Sequence, residues 1–90
     1  MMTISGSSLY SSVTASSQQL TLTIGVRYAV VSTTACWIKL GTNPTAVASQ
    51  AESIYLPADT LMSVIGRDET SKLAVIRASA DGGLCAAVIW

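Results

Sequence analysis

The chain has 90 residues, with five basic and five acidic side chains that cancel at neutral pH, and it lacks histidine and phenylalanine. Half of it is apolar and only 11% is charged, the reverse of the low hydrophobicity and high net charge that keep a chain disordered. The basic excess that an electrostatic nucleic-acid binder needs is missing, and the length holds one small domain.

A domain of this size buries little more than ~60% of the surface its unfolded chain exposes, so it usually leans on disulfides, metals or partner subunits. Two thiols, Cys36 and Cys85, and no histidine fall short of a structural zinc site. Partner subunits are the remaining stabiliser, and few charges mean little repulsion between copies. Residues 1–19 carry no basic residue and no apolar core of signal-peptide length. No stretch approaches the ~20 apolar residues of a membrane span. These features predict a protein made in a cytoplasm, soluble there, with reduced thiols and no membrane partner.

Residues 1–18 are rich in serine, with Leu9 and Tyr10 among few large apolar groups. They read either as a frayed terminus or as an extended arm that orders on a neighbouring subunit. The domain proper is predicted over residues 19–90. Its first strand alternates Leu20, Leu22 and Ile24 with Thr21 and Thr23, and Gly25 breaks it. Residues 28–32 and 35–40 are two further strands; in the second, Trp37 and Lys39 share one face, Ile38 and Leu40 the other. Gly41-Thr42-Asn43-Pro44 is a turn. Residues 45–50 suit either a short strand or a turn of helix.

Residues 53–56 form a strand that Pro57 ends or confines to an edge, and residues 61–65 another that Gly66 stops. The polar apex 67–71 joins it to residues 72–78 as a hairpin. Asp81-Gly82-Gly83 is a second hairpin turn, with glycine supplying positive φ. Residues 84–90 are apolar on both faces and are predicted to be buried on both. About seven to eight short strands at roughly ten-residue spacing predict an all-β fold, a small antiparallel β-sandwich or barrel with an extended N-terminal arm.

Reactive chemistry is sparse. Without histidine a Ser–His–Asp or Cys–His nucleophile is impossible within one chain. Asp68, Glu69 and Asp81 fall in predicted turns, where solvated carboxylates are ordinary, and no Gly-rich phosphate loop appears. Cys36 and Cys85 read as buried free thiols packing as small hydrophobes, or as a disulfide formed after release into an oxidising medium. Trp37 and Trp90 end apolar strands and suit packing in a core or subunit interface, Trp90 the interface. Arg27, Lys39, Arg67, Lys72 and Arg77 are dispersed, so nucleic acid is not an expected partner.

Trp37-Ile38-Lys39-Leu40-Gly41, followed by Pro44 and Ala46, resembles a pattern in small virion proteins of tailed bacteriophages that cement or decorate the capsid or sit at the neck. The resemblance continues through Ser53-Ile54-Tyr55-Leu56-Pro57-Ala58, Lys72-Leu73-Ala74-Val75-Ile76-Arg77 and Asp81-Gly82-Gly83. It covers residues 19–90. Asp59 stands where the pattern prefers glycine, so the turn after Pro57 need not share the family's shape.

The resemblance implies a structural protein without catalytic residues, metal or cofactor, assembled into a virion in the host cytoplasm. Its implied partners are the major capsid protein or other virion subunits, and copies of itself as a trimer or larger. Trp37, Tyr55 and Trp90 are the expected anchors, with Leu9 and Tyr10 on the arm as a clamp. A neck, tail or fibre component, or a carbohydrate or cell-surface binding β-sandwich on a Trp37–Tyr55 platform, are the rival readings.

Overall fold

The computed structural model describes residues 4–49 and 51–89. Eight strands run in chain order: β1 (Ile4–Val13), β2 (Gln18–Thr21), β3 (Arg27–Ser32), β4 (Cys36–Gly41), β5 (Ile54–Leu56), β6 (Met62–Ile65), β7 (Lys72–Arg77) and β8 (Gly82–Ile89). They form two four-stranded sheets, ordered β1-β8-β3-β6 and β2-β7-β4-β5, and every strand pair is antiparallel. The fold is an all-β sandwich.

Alternation along the strands builds the core between the sheets. From the first sheet come Val13, Tyr28, Val30, Leu84 and Ala86; from the second come Leu20, Cys36, Ile38, Leu73 and Val75. Among the described residues each buried side-chain polar atom meets a partner, as a low-dielectric interior requires. The Tyr28 hydroxyl accepts the Thr23 amide at 2.9 Å. Ser32 donates its hydroxyl proton to the Thr34 carbonyl at 2.7 Å.

The serine-rich segment set apart as an arm belongs to the sandwich. Ile4–Val13 is an edge strand hydrogen-bonded to β8, with a register shift between Ile4 and Ser8. Its odd-numbered residues Leu9, Ser11 and Val13 turn to the core, and Val13 is fully buried. The boundary therefore moves: serine is too small to signal an inward face, but period two remains in its Leu9 and Val13 positions.

Both expected hairpins are replaced by crossovers. Strands β6 and β7 lie in different sheets, as do β7 and β8. The polar apex instead closes on itself through an Arg67–Thr70 bridge. Consecutive strands that straddle a core bury their apolar faces against each other, which pairing within one sheet would not achieve. Gly82 and Gly83 accordingly lie in β8 and do not take positive φ. A Cβ on Gly82 would stand 2.6 Å from Thr34 Cγ2, and one on Gly83 2.6 Å from Tyr10 Oη. These glycines make room for side chains.

Two other expectations change. Strand β2 ends at Thr21, and Ile24 does not join the buried face of Leu20 and Leu22 but is 57% exposed. The chain turns there: the Gly25 amide (φ 86°) donates to the Gly66 carbonyl, carrying the backbone over to the first sheet. Residues 42–49 form neither strand nor helix. They are tied to the outside of the second sheet by Gln19 Nε2 donating to the Pro44 carbonyl at 2.7 Å and the Ala46 amide donating to Ser17 Oγ at 2.9 Å. Ala74, an outward position on β7 beside Gln19, is fully buried. Asp59 adopts φ 58°, the left-handed conformation glycine would take and aspartate tolerates. The turn after Pro57 thus keeps the backbone that a glycine would give it, and the Asp59 amide donates to the Ser32 carbonyl at 2.8 Å.

Candidate subunit interface

The five residues singled out as contacts separate. Trp37 and Tyr55 pair across β4 and β5 on the outside of the second sheet, their rings edge to face at 5.1 Å and 61°. Ile76 lies on the other flank of Trp37, giving the outward row Tyr55–Trp37–Ile76. Tyr10 is 65% exposed on the outside of the first sheet, the opposite side of the sandwich. Leu9 is partly buried and packs against the core, because it precedes Tyr10 by one residue and alternation turns it inward. Trp90 lies outside the described residues.

The outer side of the first sheet carries a surface that single side chains did not disclose. Register places Ser63, Ala29, Ala87 and Ser8 in one row across all four strands. Beside it, Val31, Cys85 and Tyr10 are matched across β3, β8 and β1, and exposed Leu61 extends the row just before β6. Among the described residues the one charged group on an outward strand position of this sheet is Arg27. The second sheet differs: its outside bears Lys39 and Lys72, with Lys39 Nζ 3.9 Å from Glu52 Oε1. That exposed pair contributes little.

Small uncharged side chains make a smooth sheet face, which another surface can approach to about 10 Å between backbones. The missed signal was distributed. Val31, Cys85 and Ala87 are ordinary apolar residues in sequence, and only the pairing of β3 with β8 makes them one patch, around the buried Ala29. The same pairing corrects the expectation that β8 is buried on both faces: Leu84 and Ala86 are buried, but Cys85 is exposed.

Both thiols are free. Cys36 points into the core from the second sheet, while Cys85 points to solvent from the first, so the two cannot meet in this fold. Burial pushes the Cys36 thiol above its ordinary value of 9.0, against a smaller opposing hydrogen bond with Ser32. A thiol-specific chromogenic reagent should therefore modify one cysteine per folded chain, Cys85, and the second only on unfolding. Two equally fast thiols, or none, would contradict this placement. The sign of the pH dependence follows. Above 9.0 the unfolded chain loses the Cys36 proton first, so the stabilising contribution is intact below that pH and falls as pH rises toward the folded value.

Among the described residues no three His, Cys, Asp or Glu side chains gather to hold a metal, and no helix is long and apolar enough to cross a membrane. No family model, curated protein or solved structure matches the chain.

Proposed function

We propose that this protein is a structural virion subunit that cements or decorates a phage capsid by binding neighbouring capsid subunits and copies of itself. The observation that carries the reading is the pair of outward apolar rows on opposite sides of one sandwich: Val31–Cys85–Tyr10 on the first sheet, and Tyr55–Trp37–Ile76 on the second, where Lys39 and Lys72 flank it. The motif resemblance between residues 37 and 83 supports it independently.

The mechanism is burial. A contact of standard size removes ~800 Å² per partner from water. With somewhat over half of the ~1,600 Å² total apolar, the gross hydrophobic term is about 20 kcal/mol, against ~4–15 kcal/mol of association cost and the further costs of side-chain ordering and polar desolvation. Two contacts at once, as two opposed surfaces allow on a lattice, hold far more firmly than one. The edge-to-face angle of 61° between Trp37 and Tyr55 denies a sugar one flat platform, which disfavours the carbohydrate-binding reading.

Cys85→Glu tests the role of the first surface. The side chain is exposed, so circular dichroism and denaturation midpoint should stay near wild type, while incorporation into particles should fall at least ~10-fold. Unchanged incorporation would remove this face from the mechanism. Copy number by gel densitometry then separates positions: hundreds per particle mark a cement protein, a dozen or fewer a neck or tail component.

A further inference from the structure

We infer that two copies join edge to edge through β1, antiparallel about a two-fold axis at Tyr10, so that the two first sheets become one continuous eight-stranded sheet. The occupant of this edge is a second copy of the chain. The proposal deepens the assembly reading above and rests on it for its purpose, though not for its test.

The four sheet edges are not alike. Strand β5 has three residues, and β2 and β6 have four each. Short edges present few unpaired amides and carbonyls, one of the ways folded proteins avoid pairing with other chains. Strand β1 has ten residues, ISGSSLYSSV, without charge or proline. Its only guard is the register shift between Ile4 and Ser8; from Ser8 to Val13 it runs regularly beside β8. This stretch is the one long template for strand addition among the described edges.

Self-pairing follows from symmetry. An antiparallel two-fold pair keeps both outer faces on one side only if the axis passes through a residue. An axis at Tyr10 sets Tyr10 opposite its own copy and the Ser8 register position opposite Ser12, so positions 8, 10 and 12 map onto one another. Their β8 neighbours, Ala87, Cys85 and Gly83, are small. Exposed Tyr10 lies against Gly83, where a Cβ would come within 2.6 Å of its hydroxyl oxygen. The ring therefore leans back over its own sheet and leaves the edge open. The joined sheet doubles the outer face, on whose strands Arg27 is each chain's one charged group among the described residues, into one contiguous surface that larger assemblies can then stack upon.

The test uses sedimentation in the Cys85→Glu background, where face-to-face contacts are blocked. Three strand spacings, about 14 Å, separate the two introduced carboxylates across the joined edge, beyond the screening length at moderate salt. In that background the chain should sediment as a dimer. Adding Ser8→Lys with Ser12→Lys sets like charges directly opposite at two places and should weaken the dimer by roughly tenfold or more. Adding Ser8→Lys with Ser12→Glu sets opposite charges there instead and should retain it. Circular dichroism confirms the fold in each case. A monomer in the Cys85→Glu background, a trimer, or equal loss with both charge patterns would overturn the edge pair. A wild-type dimer absent from particles would instead sink the virion reading and leave the edge pair standing.

Discussion

Gly66→Ala should destabilise the fold by about 3 kcal/mol or more, out of a total of about 5–13 kcal/mol for a domain this long. Gly66 directly follows β6 and bridges Ile24, where the chain crosses from β2 to β3. A Cβ there would collide with the Thr23 carbonyl oxygen and come within 2.9 Å of the Thr23 carbonyl carbon and 3.3 Å of Leu22 Cβ. The first two are backbone atoms, which cannot rotate away as the end of a side chain could. The same backbone is held from both sides: Gly66 donates its amide to the Val26 carbonyl at 3.0 Å, and its carbonyl accepts from Gly25 at 2.8 Å. Relief of the clash must stretch those bonds or displace buried Leu22. A denaturation midpoint well below wild type, with unchanged slope, is the expected result. A change within ~0.5 kcal/mol would show that this crossing is looser than described.

Leu73→Ala should cost a similar ~3–4 kcal/mol, by the opposite mechanism of emptied space. Leu73 is fully buried at the centre of the second sheet, in register with Leu20 on β2 and Leu40 on β4. Its removal leaves a void lined by three strands that hydrogen bonds prevent from closing. For a domain of this size that corresponds to a fall in Tm of about 15–25 °C. Ile54→Ala is the matched control. Ile54 lies opposite buried Ile38 but on the three-residue edge strand β5, and is 55% exposed. Its truncation should change stability by no more than ~0.5 kcal/mol. Equal losses at both positions would contradict the assignment of core and edge.

The strands were legible because period two survives in their large residues. Leu20 with Leu22, Ile38 with Leu40, and Leu73 with Val75 each announce an inward face. Partnership between strands was less legible. The turn residues at 67–71 and 81–83 report that the chain reverses, and a reversal serves a hairpin or a crossover equally well. Only the requirement that apolar faces meet across a core selects the crossover, and that is a property of all eight strands together. Strand β1 escaped for a related reason: serine fits inward and outward positions alike, and Leu9 and Val13 alone mark its buried side.

The candidate interface was legible in part. Trp37 and Tyr55 stand out as aromatics and do meet, at 5.1 Å. Tyr10 stands out too and is exposed. The smooth face of Val31, Cys85 and Ala87 is invisible in the linear chain, because its residues come from β3 and β8, more than fifty positions apart. Its signature is that Arg27 is the one charged group on the outward strand positions of that sheet among the described residues, which becomes measurable only once register assigns each residue a side. The stability predictions for Gly66 and Leu73 and the contact predictions for Cys85 and β1 are separable for this reason. The first pair acts on the interior, the second on surfaces that leave the interior intact.

Quantitative mass spectrometry of particles purified by density, from cells in which this chain is naturally made, tests the assembly role most directly. A capsid cement protein should co-purify with the major shell protein at a fixed ratio that persists through repeated banding, and Cys85→Glu should lower that ratio. Recovery of the wild-type chain only at the top of the gradient, as a free species of about 9 kDa or its small oligomers, would contradict the role.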